Sequence, residues 1–293
     1  MVDNREDLAN AIALNSTMVH TARSFGPAFA GFLVYYVGEG YCFLIDSMSY
    51  IAVVISLLLM HVAQNPPKAR DRSVIAELKE GIAYVWTSVP IRVLLLLMAL
   101  LSLTAMPAFN ILMPIFADAL SPDAARGSQT LGFLQGASGV GALAGAIYLA
   151  SRKTVVGLGR LIAIAGIVFA FSIIAFSTSR HLWLSLCFVP IAGFGMITVF
   201  ASANTLLQTL AEDDKRGRVM SLFTMSFMGM APFGNLLSGA AAKHFGGGIG
   251  GAARTVATAG IIAIVAVAFF AAMLPALRKI IRPIYIQKGI LPE

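Results

Sequence analysis

Charge is what this sequence has least of. Only 12% of its 293 residues are Asp, Glu, Lys or Arg, about half the ~25% of an average soluble domain. With 58% hydrophobic residues and a mean hydropathy of +0.83, that shortage excludes a water-soluble fold. Acidic residues are the scarcer sign, 14 against 21 basic. The resulting excess of +7 does not make a nucleic-acid binder, because the basic residues sit in short clusters between apolar blocks with no aromatic-rich soluble module around them. Cysteine is nearly absent: Cys42 and Cys187 lie inside apolar blocks without metal-site spacing, and both are expected to be buried packing residues. The four histidines, His20, His61, His181 and His244, are scattered at the ends of blocks, so no metal and no cofactor is expected. The first 20 residues are mixed polar and lack the apolar stretch of a cleavable signal peptide. Alternation at period two is also missing, which argues against a membrane β-barrel.

What is present is a series of apolar blocks, each close to or above the ~20 residues that cross a bilayer. Eight are expected, over 18–37, 41–63, 91–117, 130–150, 159–178, 182–210, 219–242 and 255–277. Lipid demands that backbone groups be satisfied internally, so the blocks read as helices and the fold class as an all-α integral membrane protein. Basic residues of short loops stay in the cytoplasm, and with eight spans 17 of the 21 fall on one face and 4 (Arg126, Arg180, Lys243 and Arg254) on the other. Both termini are therefore expected in the cytoplasm, in a multi-pass protein of the cell (inner) membrane. The longest connection, 64–90, reads as a cytoplasmic linker. Within it Ile75, Leu78, Ile82, Val85 and Trp86 recur at helical spacing opposite Glu77, Lys79 and Glu80, the pattern of an amphipathic helix lying on the membrane as a strap.

The stretch Ser16–Gly31 (STMVHTARSFGPAFAG) repeats weakly as Ser221–Leu236 (SLFTMSFMGMAPFGNL) at an offset of 205, aligning Pro27 with Pro232. If the first two spans match the last two, one repeat holds six helices, and a duplicated protein of this kind has twelve. Four helices are then expected upstream of Met1.

Four segments carry a family likeness: DLANAIALNS (Asp7–Ser16), ARSFGPAFAG (Ala22–Gly31), DKRGRVMSLF (Asp214–Phe223) and GMAPFGNLLSG (Gly229–Gly239). Together they resemble the drug, macrolide and siderophore efflux branch of the major facilitator superfamily. The resemblance implies helices 5 to 12 of a twelve-helix fold, with residues 1–63 as the last two helices of an N-terminal bundle, 64–90 as linker, and 91–293 as a complete six-helix C-terminal bundle and tail. It also implies proton-driven export of small amphipathic molecules by alternating access, with the lipid bilayer, the substrate and protons as partners.

Arg23, Gly26, Pro27 and Gly31 combine a proline that frees a backbone carbonyl with glycines that admit a neighbouring helix. In the family this region resembles the motif that seals the two bundles together; from residues alone it is equally a packing face with a kink. Pro232, Gly234 and Gly239 are the pseudo-equivalent set. The loop Asp214, Lys215, Arg216, Gly217, Arg218 resembles a degenerate form of the family's acidic, glycine and arginine signature, and its charges suit either a gating contact or a topological anchor. Asp46 is the only carboxylate deep in an expected span, so it is either a proton-coupling group or a structural aspartate capped by Ser47 or Ser49. Asn110, Gln135, Asn204 and Gln208 either line a substrate path or join helices to one another. Gly132, Gly136, Gly139, Gly141 and Gly145 read as a close-packing face. Two other functions compete with transport. A membrane-embedded enzyme needs clustered catalytic groups that this sequence supplies only singly, and a truncated, non-transporting remnant follows from the missing helices.

Overall fold

The computed structural model describes residues 39–59, 74–121, 126–152, 154–212 and 214–287. Every regular element among them is helical. In chain order these are α1 (Glu39–Leu59), α2 (Val74–Thr87), α3 (Val89–Leu103), α4 (Ala105–Ile111), α5 (Met113–Leu120), α6 (Gly127–Ala150), α7 (Leu158–Thr178) and α8 (Leu182–Leu210). They continue with α9 (Arg216–Thr224), a π-turn (Met225–Gly229), α10 (Ala231–His244) and α11 (Gly248–Gln287). The expected span 18–37 lies outside the described residues. Among the described residues five helical runs, 89–120, 127–150, 158–178, 182–210 and 248–287, are long and apolar enough to cross a membrane. The 40 residues of α11 extend for about 60 Å at ~1.5 Å per residue, twice the ~30 Å hydrocarbon core, so the helix is longer than one crossing needs.

The expected span 91–117 is one rod in three pieces. Ser88 is extended and Pro90 occupies the first turn of α3, where its missing N–H costs nothing. The rod then breaks at Thr104 (φ −120°, ψ −76°) and Leu112 (φ −93°, ψ −7°). Both breaks stand just before a proline, Pro107 and Pro114, neither of which has an N–H to give the carbonyl four residues back, on Leu103 and Asn110. The expected span 219–242 is likewise interrupted: α9 and α10 are joined through the π-turn, three residues before Pro232.

This broken rod is the centre of the bundle. Ile91, Leu94, Met98, Leu101, Phe109 and Phe116 are buried. Phe109 meets Phe169 and Phe176 of α7 edge-on at 6.3 and 5.7 Å, and Phe116 lies 4.7 Å from Phe176. Such pairs contribute about 0.5–1.5 kcal/mol each beyond area burial, which matters in lipid, where no hydrophobic effect drives helices together.

Four of the five glycines expected on the packing face of α6 are buried, and Gly139 is partly exposed. Gly132, Gly136, Gly141 and Gly145 are buried, and a Cβ on Gly141 would collide with the Pro190 carbonyl of α8. The contact is reciprocal, since a Cβ on Gly193 of α8 would strike the Ser138 carbonyl of α6. Two backbones therefore touch with no side chain between them.

One burial expectation is corrected. Cys187 is exposed on α8, because an apolar block in lipid has an outward face as apolar as its core; the side chain of Cys42 lies outside the described set. The strap helix α2 divides its expected apolar face between the bundle and the outside. Ile82 and Trp86 remain exposed, while Gly81 and Val85 are buried and Gly81 lies against Arg218 and Leu222 of α9. The described side chains of α1, Tyr41 and Phe43–Leu59, are all exposed, an arrangement lipid solvates readily for the apolar ones but not for Asp46.

Candidate functional site

The break in α3–α4 and the π-turn are in contact. The buried Ser102 hydroxyl, at the end of α3, donates to the carbonyl of Phe227 in the π-turn. About two turns further on, Gly234 is buried against the same break: a Cβ there would lie 2.5 Å from Pro107 Cγ, 2.7 Å from the Leu103 oxygen and 2.8 Å from the Ser102 oxygen. The Leu103 carbonyl is the one Pro107 leaves without a helical donor. Gly234, Ser238 and Ala242 form the buried stripe of α10, at intervals of four. Two discontinuous helices thus meet through backbone groups and small residues, and irregular backbone is tolerated at membrane depth only where protein or a water-lined cavity covers it.

Of the second predicted constellation, Gly234 is in this contact and Pro232 sits in the first turn of α10, exposed. Gly239 faces open space with nothing within 4 Å. Arg23, Gly26, Pro27 and Gly31 lie outside the described residues. Ser102 and the π-turn were missed from sequence; Pro232 was the available signal of irregularity.

The loop 214–218 forms a clasp with α2. Arg218 is ion-paired to Glu80 at 2.7 Å. Lys215 stands over the Tyr84 ring at 4.8 Å, and the Glu212 amide donates to the Tyr84 hydroxyl at 3.3 Å. Arg216 Nε donates to the Gln208 carbonyl at 3.1 Å, closing the end of α8. Gly217 has no neighbour within 4 Å, and Asp214 lies in the turn before α9. The Lys215 ammonium is held above its ordinary pKa, chiefly by its hydrogen bond to Glu212 at 2.9 Å. Glu80, placed opposite the apolar residues by its periodicity, is exposed and still reaches Arg218, as Tyr84 reaches Lys215 and Glu212.

Asn204 and Gln208 are hydrogen-bonded to each other on one face of α8. Asn110, exposed, donates to the Met106 carbonyl of its own helix at 2.8 Å, and Gln135 is exposed on α6. Only the α8 pair is brought together. Asp46 is exposed on α1, and the expected serine cap is not there. Ser47 donates to the Phe43 carbonyl and Ser49 to the Asp46 carbonyl, each at 2.7 Å. A hydroxyl has one proton and an ionised carboxylate can only accept, so neither serine can also serve Asp46 as donor.

The transmembrane secretion effector family matches residues 1–282 of the chain. The chain belongs to this family of the major facilitator superfamily. It is similar to the multidrug efflux pump Tap of Mycolicibacterium fortuitum, 26% identical over 234 residues that cover 75% of this chain and 54% of the pump. It is also similar to the staphyloferrin A transporter of Staphylococcus aureus, 24% identical over 240 residues that cover 80% of this chain and 58% of that protein. The chain thus spans little more than half the length of these curated relatives. The family and both relatives are membrane transporters and not enzymes, so this secretion effector chain is a multi-pass membrane protein of a transporter class.

Proposed function

We propose that this chain forms the larger part of a secondary transporter that exports small amphipathic molecules, of the drug, macrolide or siderophore kind, in exchange for protons. One observation carries the reading: in a family of transporters, the two helices with broken backbone, α3–α5 and α9–α10, meet at Ser102, Phe227 and Gly234. Discontinuous helices at a common level are the usual place for a transporter to bind and to bend. In this reading residues 91–293 are one six-helix bundle, 1–63 belong to the other, and 64–90 link them on the cytoplasmic side with both termini. Pro27 and Gly31 seal the bundles in one state, Pro232 and Gly234 serve the second bundle, and the clasp of Arg218 with Glu80 holds the linker. Asn110, Gln135, Asn204 and Gln208 face the path, with Asp46 as a coupling candidate.

The test is efflux in a strain sensitised to macrolides. The chain is compared with the same chain joined to a four-helix N-terminal segment from a relative, with and without a proton uncoupler. Uncoupler-sensitive efflux by the joined protein, reduced by Gly31→Leu at equal expression, supports the proposal. Efflux that persists without a proton gradient removes proton coupling from it.

A further inference from the structure

A second site lies away from the polar face of α8. A cavity of about 420 Å³ is enclosed by the start of α3, the first turn of α7, α8 and the last third of α11, a volume within the ~300–1,000 Å³ of small-molecule pockets. Its α8 wall is Leu206. At 100° per residue, Leu206 points about 200° away from both Asn204 and Gln208, so the cavity opens on the side opposite that pair.

Its chemistry is divided along one helix. On α11, Phe270, Leu274 and Leu277 supply an apolar floor, and Arg278 and Arg282, one turn apart, follow at the basic end. Phe270 to Arg282 covers about 18 Å at ~1.5 Å per residue. Arg160 of α7 adds a third guanidinium from across the cavity. Among the described residues no carboxylate lines the site, and no ion pair engages any of the three arginines.

Two further features point the same way. Arg152 stands behind the wall, its Nη2 donating to the Val156 carbonyl at 3.0 Å, and its Nε is buried without a partner. The first turn of the 21-residue helix α7 also opens here: Gly159 and Arg160 line the cavity, the N-cap Gly157 has a left-handed backbone (φ +85°), and the first turn holds no acidic residue. The Leu158 N–H is taken by the Val155 carbonyl at 3.3 Å, and the N–H groups of Gly159 and Arg160, with the positive dipole end of the helix, add to the arginines.

We propose that this cavity binds an anionic phospholipid, with the phosphate among Arg160, Arg278 and Arg282 and the upper acyl chain over Phe270, Leu274 and Leu277. Basic pockets between membrane helices select such headgroups. The apolar floor speaks against a soluble phosphate, which has nothing to place there. The missing carboxylate speaks against a zwitterionic lipid, whose ammonium would find no partner among three guanidiniums. The inference does not depend on what is transported.

The probe is dioleoyl phosphatidylglycerol, titrated into the detergent-purified full chain and followed by native mass spectrometry, with dioleoyl phosphatidylcholine and inorganic phosphate as comparisons. Phosphatidylglycerol should be retained, phosphatidylcholine should not, and phosphate should neither bind nor compete. The triple variant R160Q/R278Q/R282Q should weaken retention at least about tenfold, and K279Q, which removes a neighbouring charge outside the cavity, should not. Ile281→Trp, which fills the cavity and leaves the charges in place, should also weaken retention. The proposal is overturned if the triple variant or Ile281→Trp binds like the parent, if K279Q loses as much as the triple variant, or if phosphatidylcholine or phosphate matches phosphatidylglycerol.

Discussion

Glu80 and Arg218 are 138 residues apart in sequence and 2.7 Å apart in the structure. Their side chains keep 43% and 27% of their exposure, so the pair itself is worth at most about 1 kcal/mol. Its consequence is positional, since it fixes α2 at the start of α9, next to the π-turn. Glu80→Gln and Arg218→Gln should each lower thermal stability by no more than about 1 kcal/mol, yet accelerate hydrogen exchange across 78–87. The swapped pair E80R/R218E should restore protection. Exchange in 78–87 that stays at the parent rate in both single variants would show that the strap is held by Tyr84 and Val85 alone.

Gly234 and Gly239 separate close packing from plain helix propensity. Both are glycines of α10, but a Cβ at Gly234 meets Pro107 and two carbonyls while one at Gly239 meets nothing. Gly234→Ala should destabilise by about 1–3 kcal/mol through overpacking. Gly239→Ala should be neutral or stabilising, by up to about 1 kcal/mol, as Ala replaces Gly within a helix. Thermal unfolding of the two variants in one detergent decides it, and equal midpoints would remove the close contact from the account.

Topology can be tested by labelling in a C42S/C187S background. Cysteines placed near Arg70 should react only from the cytoplasm, and those near Glu39, Asp123, Arg180 and Gly247 from outside. Labelling near Arg70 in intact cells would reverse the orientation and place the clasp on the wrong face.

How far the sequence carried can be seen at particular residues. The face of Gly141 and Gly145 was legible because small residues at intervals of four have one common use in a membrane helix, letting backbones touch. The long apolar runs were legible because lipid leaves few alternatives to a helix. Glu80 stays on the exposed side where its periodicity put it, but its partner Arg218 was not legible, because a periodicity argument knows only an apolar and a polar side and α2 has a third neighbour, α9. Cys187 was misplaced because hydropathy does not distinguish a core from a lipid-facing surface. The π-turn was invisible since Pro232 announces a disturbed helix without saying which preceding turn absorbs it. The Ser102 contact needed the tertiary structure, because nothing local to α3 says that a serine 125 residues before Phe227 will bond to it.

That contact supports the last prediction. Ser102 and Ser172 are both serines buried to within a few percent in membrane helices. Ser172 donates at 2.7 Å to Val168 in its own helix, whereas Ser102 donates across to the Phe227 carbonyl. Interhelical hydrogen bonds in membranes average about 0.6 kcal/mol and reach ~1.7, so Ser102→Ala should lower stability by roughly that amount and Ser172→Ala by no more. The two variants should part company at the π-turn. Loss of the Ser102 donor leaves the widened turn without its cross-helix tie, so hydrogen exchange over 225–232 should speed up several-fold in Ser102→Ala and stay at the parent rate in Ser172→Ala. If the turn is a joint of the transport cycle, efflux per expressed molecule should change in the first variant alone. Equal exchange over 225–232 in both variants would mean that the turn is held by its own helix, and the junction of α3 with α10 would then be a packing contact and not a moving one.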